Sequence, residues 1–156
     1  MNEKRDQLTQ IAAQKALDAI SLVEASLSYI QPYDPEKFYT PREREPYDAL
    51  NDRFNRAVEV VIKFFRSYEL YMFGENSDTF RDLLNRMEKL DFIDSVSVGM
   101  EMRDVRNKIA HEYLPEAIKD IYDHVMGPLG DQLRRIKRKI KEFVDASSLD
   151  SKKTED

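Results

Sequence analysis

Apolar residues return at every third or fourth position along most of this chain, and that spacing excludes a sheet. Buried side chains repeat every second residue on a strand and about every 3.6 residues on a helix. Between 4 and 31, Leu8, Ile11, Ala12, Leu17, Ile20, Val23, Leu27 and Ile30 draw one helical stripe, which Pro32 and Pro35 stop. From 47 to 73 the stripe widens to Leu50, Phe54, Ala57, Val58, Val61, Ile62, Phe65, Tyr68, Leu70, Tyr71 and Met72. A band that wide predicts a helix central in a bundle or buried against a second subunit, with Gly74 as its cap.

The stretch 32–46 holds four prolines and reads as a connector that is not regular helix, pinned by Tyr33, Phe38 and Tyr39. Ser77 or Asp78 is placed to cap a short third helix over 79–90, with Phe80, Leu83, Leu84, Met87 and Leu90 inward. Asp94 or Ser95 starts a fourth helix over 96–114. Pro115 opens a helical piece to about 126, and Gly127, Pro128 and Gly130 interrupt it. A last helix over 131–145 turns Leu133, Ile136, Ile140, Phe143 and Val144 inward. Residues 147–156 are polar and read as a disordered tail. The expectation is an all-α fold of about five helices in one domain over 1–146.

Several classes of function fall away. With no cysteine there is no disulfide, thiol catalysis or cysteine-bound zinc. The two histidines, His111 and His124, lack the carboxylate pattern of a metal site, and no cofactor is expected. No glycine-rich phosphate loop or serine nucleophile elbow is present. No stretch reaches the roughly 18 apolar residues of a membrane span, and no apolar signal-peptide core follows Arg5 and Asp6, so a cytoplasmic location is expected. A net charge of −5 gives no global steering toward nucleic acid, so any RNA contact must use a local basic patch. The densest is Arg134, Arg135, Lys137, Arg138, Lys139 and Lys141, opposite the apolar stripe of the last helix. A charged helix face is most often only solvated; the alternatives are phosphate contact or an acidic partner. His124, beside Asp123, reads as structural or exposed.

The chemistry concentrates in 103–115. On an ideal fourth helix Val98, Met102, Val105, Ile109 and Tyr113 share the core stripe, with Arg106 at its border. Arg103, Asn107 and His111 fall progressively round the helix, which leaves Arg106 and His111 about 140° apart. Three routes join them: the reach of the arginine, a second subunit, or a kink. Pro115 lacks the N–H that would meet the His111 carbonyl, so the helix should loosen there. These residue types suit a phosphodiester. A histidine moves the proton of a ribose 2′-hydroxyl, and a guanidinium holds the phosphate and offsets its added charge. Asn107 is placed to orient the imidazole or a ribose, and Tyr113 to bond a phosphate or stack on a base.

The longer string, Arg106-Asn107, three residues, His111, one residue, Tyr113, resembles the signature of HEPN domains and, among them, of HepT-type toxins. The flanks Met102-Arg103-Asp104-Val105 and Ile109-Ala110-His111-Glu112-Tyr113 are similar in style. So are Asp48-Ala49-Leu50 with Arg53-Phe54, and Arg81-Asp82-Leu83-Leu84. The likeness covers roughly 5–145. It implies a HEPN-like up-and-down α-helical bundle and a homodimer with the Arg–His motifs of both chains at one cleft. It implies metal-independent endoribonuclease activity that leaves a 2′,3′-cyclic phosphate, with Arg106 and His111 catalytic; Asn107 and Arg103, on the same helix, are the candidates to bind or orient the RNA. It further implies a nucleotidyltransferase antitoxin as partner, which transfers AMP from ATP to Tyr113. Two other readings stand beside it: a non-catalytic helical adaptor that binds such a nucleotidyltransferase, and a plain scaffold, favoured if Arg106 is buried in a structural ion pair.

Overall fold

The computed structural model describes residues 2–153, and no strand occurs among them. The helices are α1 (Asn2–Leu27), α2 (Pro41–Phe73), α3 (Phe80–Lys89), α4 (Val96–His111), α5 (Pro115–His124) and α6 (Gly130–Lys153). One wider turn, Val125–Leu129, joins α5 to α6, with Gly127 out of helical conformation at the expected break.

α1 and α2 lie antiparallel. The Thr9 hydroxyl donates to the Ser67 carbonyl at 3.3 Å, Arg53 donates to Ser26 Oγ at 2.9 Å, and the Tyr47 hydroxyl donates to the Gln31 carbonyl at 2.8 Å. The buried face of α1 is Thr9, Ala13, Ala16, Ala19, Ile20, Val23 and Ser26. It is rotated from the expected stripe, for Leu8 and Ile11 are exposed. Small residues on that face let the helices approach closely, and the bulkier pair is left outside. α6 runs back along α1, with Lys137 on Glu24 and Ser21, and sets Phe143 against Tyr68 at 5.4 Å. α2 is central, packed on α1, α3 and α4. Phe54, Phe64, Leu83, Met87, Ile136 and Ile140 are fully buried between these elements.

The connector is shorter than 32–46. Pro41 is the first residue of α2, where a missing N–H costs nothing, and the Thr40 hydroxyl accepts the Glu43 N–H at 3.2 Å while Glu43 accepts the Thr40 N–H at 3.2 Å. Pro46 is accommodated in the early part of the helix. Tyr33 stacks on Tyr39 and Tyr122, at 4.9 and 5.7 Å, and anchors the connector as expected. Phe38 does not, being 89% exposed. Thr79 caps α3 in place of Ser77 or Asp78, because the Ser77 hydroxyl is held by Glu69. α6 continues to Lys153, through most of the expected tail, since no Gly or Pro follows Gly130 to stop it; 154–156 lie outside the described residues. Gly74 caps α2 at φ 74°, its N–H donating to the Leu70 carbonyl at 2.9 Å. Gly74→Ala should cost about 1 kcal/mol, read by urea unfolding, because a Cβ disfavours that left-handed backbone.

Candidate functional site

α4 starts where the Ser95 hydroxyl accepts the Val98 N–H at 3.2 Å, and it ends at His111. The end is set from downstream. Pro115 has no N–H for the His111 carbonyl, and a residue before proline is pushed to extended backbone, as at Leu114 with φ −80° and ψ 124°. Glu112 is extended too, at φ −97° and ψ 130°. Its carboxylate accepts the N–H groups of Tyr113 and Leu114, each at 3.1 Å. The strand-like segment 112–114 is thereby held as well as released. Tyr113 does not join the core stripe: it is 85% exposed, because the helix that would have carried it inward has already stopped. Met102 and Val105 are buried as expected, and Val98 and Ile109 are half-buried.

Arg106 extends toward α2, where Nη1 donates to Glu59 Oε1 at 3.1 Å. Its side chain is 71% exposed, so the condition for a structural, buried ion pair is not met. Two adjoining hollows lie along the α2–α4 groove. One, of about 410 Å³, is lined by Asn55, Val58, Glu59, Ile62, Met102, Arg103, Asp104, Arg106 and Asn107. The other, of about 420 Å³, is lined by Asn51, Asp52, Asn55, Arg56, Glu59 and Arg106. The Arg103 guanidinium lies over the Phe80 ring, its carbon 4.0 Å from the centroid, a cation–π contact at the groove wall. The fold thus brings Arg103, Arg106 and Asn107 together. His111 lines neither hollow and is exposed, and its imidazole has no hydrogen bond or ion pair with any described residue.

The α2 wall escaped the sequence reading. Asn51, Asn55 and Glu59 recur every fourth residue beside the apolar band, and Asn55 donates to Asn51 at 3.0 Å. That polar row was the available signal. Of the basic run on α6, Arg138 and Lys141 are exposed and form no ion pair with a described residue, whereas the other four cations are paired. Arg134 pairs with Asp131 at 3.1 Å, Arg135 with Asp91 and Asp94, Lys137 with Glu24, and Lys139 with Glu142 at 3.6 Å. His124 is exposed and sits 2.6 Å from Glu101, tying α5 to α4. Among the described residues no group of three His, Asp or Glu side chains is placed to hold a metal ion.

No family model, curated protein or solved structure matches the chain.

Proposed function

We propose that the chain is an RNA-cutting toxin with a HEPN-like bundle, acting as a homodimer in the cytoplasm and silenced when a nucleotidyltransferase antitoxin transfers AMP to Tyr113. The observation that carries this reading is the end of α4. There an exposed Arg106, an unpartnered His111 and an exposed Tyr113 follow one another on a terminus held open by Glu112 and Pro115.

In the cleavage step the ribose 2′-oxygen attacks the adjacent phosphorus and the bond from phosphorus to the 5′-oxygen breaks. His111 accepts the 2′-proton and the departing 5′-oxygen takes a proton from water. The products are a 2′,3′-cyclic phosphate and a free 5′-hydroxyl. Arg106 offsets the charge gained at phosphorus, while Asn107 and Arg103 position the strand. Because His111 lies outside the Arg106 groove of its own chain, the reading calls for two chains to share one cleft. In the silencing step the Tyr113 oxygen attacks the α-phosphorus of ATP, pyrophosphate leaves and the phenolic proton is lost to solvent. The added nucleotide blocks RNA by bulk and negative charge.

The separation of His111 from the groove also favours a second reading, a non-catalytic helical adaptor that docks the nucleotidyltransferase. Incubating the chain alone with single-stranded RNA in EDTA separates the two. The toxin reading expects fragments with cyclic-phosphate and 5′-hydroxyl ends. RNA cut only after a divalent cation is added would refute the metal-free step, and RNA left whole under both conditions would leave the adaptor.

A further inference from the structure

Each arginine of the α2–α4 groove is already engaged. Arg56 pairs with Asp52 at 3.0 Å, Arg103 lies over Phe80 and Arg106 pairs with Glu59. Only the last engagement joins two residues that line both hollows. Asn55, Glu59 and Arg106 line both hollows, so the ion pair stands at their common boundary, with Glu59 reaching from α2 and Arg106 from α4. The contact is made through one guanidinium nitrogen, and the other donors of Arg106 have no partner among the described residues. Both side chains are well exposed, at 71% and 58%, and solvent screens such a pair heavily. A phosphoryl group offers more: several anionic oxygens that accept two guanidinium N–H bonds side by side.

We propose that the Glu59–Arg106 pair is a latch across the groove, which a phosphoryl anion opens by displacing the Glu59 carboxylate from Arg106. With the pair parted, the two hollows become one continuous channel along α2 and α4. The anion settles against Arg106 at its middle, and its flanking groups reach the amides of Asn55 on one wall and Asn107 on the other. The latch makes Glu59 a positioning residue that sets how readily Arg106 is released. The class of ligand follows from the groove, whereas its identity as RNA rests on the function proposed above.

Two probes keep those two questions apart: inorganic pyrophosphate, and a short single-stranded RNA made uncleavable by 2′-O-methylation. Each is titrated against the wild-type chain, Glu59→Gln, Arg106→Ala and the double variant, with unfolding curves as a check on fold. Glu59→Gln is expected to tighten pyrophosphate binding about three- to fivefold, the worth of an exposed ion pair, and to give no gain once Arg106 is gone. Unchanged affinity in Glu59→Gln overturns the latch. So does an equal gain without Arg106, which marks a general charge effect, and so does the absence of pyrophosphate binding to all four chains. A pyrophosphate gain that depends on Arg106, without RNA binding, leaves the latch standing and removes the RNA reading.

Discussion

A chain carrying His111→Ala is expected to cleave RNA about 10²–10⁴-fold more slowly than the wild type, the usual contribution of a positioned acid–base group. The residue is the exposed last member of α4 and has no partner among the described residues, so its loss removes a proton acceptor without opening a cavity or orphaning a bond. Alanine also continues a helix well at that position. The far-ultraviolet spectrum and melting point should therefore stay where they are while cleavage of end-labelled RNA collapses. Arg106→Ala should lose about 10²–10³-fold by withdrawing the charge that meets the developing phosphorane. Arg106→Lys should not restore it, since an ammonium lacks the side-by-side donors of a guanidinium. The two losses should combine to less than their product, because both groups serve one step. Expressed without any partner, the wild type should arrest growth and degrade RNA, and His111→Ala should do neither. Equal cleavage by wild type and His111→Ala would falsify the assignment of His111.

How much of this was legible in the sequence depended on how far each determinant lies along the chain. Ser95 at the start of α4 and Gly74 at the end of α2 were readable because a cap bonds within four residues of itself. The loosening at His111 was readable because proline acts on the carbonyl four residues before it. The place of Tyr113 was not, since the apolar period ran on through a stop that the backbone obeys. On α1 several faces carry apolar residues, and which one turns inward was decided by the small side chains that α2 can approach. The Arg134–Asp131 and Lys139–Glu142 pairs of α6, three residues apart on one helix, were within reach of the sequence, whereas Arg135 and Lys137 looked free because Asp91, Asp94 and Glu24 lie far along the chain. Glu59 was invisible for the same reason, as its partner Arg106 sits across a helix–helix contact. Local chemistry gave the elements and the segment that carries the candidate site; the partners of its side chains came only with tertiary structure.

Glu69→Ala is expected to destabilise the fold by about 3–5 kcal/mol, lowering the melting temperature by about 10 °C, although Glu69 belongs to no site. It is a carboxylate with 0% exposure near the C-terminal end of α2, on the helix's buried face. Such a group persists only if its charge and lone pairs are all answered. Arg86 answers the charge at 3.2 Å, its own guanidinium lying 4.3 Å from the centroid of the Phe73 ring, and Arg66 approaches to 3.8 Å. The Ser77 N–H donates at 2.6 Å, the Ser77 hydroxyl donates as well, and Asn76 donates at 3.3 Å. The loop from α2 to α3 is thus folded around this one carboxylate, with Arg66 donating to the Ser77 carbonyl at 2.9 Å to close the ring of contacts. Alanine would leave Arg86 only the exposed Glu75 carboxylate, at 4.0 Å, and would leave the Ser77 N–H without an acceptor. Glu69→Gln keeps an acceptor for Ser77 but not the charge, and should fall between. The pH dependence carries the same signature. Burial alone would raise the Glu69 carboxyl, but the bonds from Ser77 and Asn76 and the charge of Arg86 outweigh it and hold the group below its ordinary 4.5. A depressed folded value means that the stabilisation is complete above the ordinary carboxylate range and is lost as pH falls through the folded value. Urea unfolding of wild type and Glu69→Ala should therefore differ most near neutrality and converge as pH drops below about 4.5. A gap that stayed constant into acid would mean that the alanine acts by its lost packing alone and that the carboxylate's charge does not hold the loop.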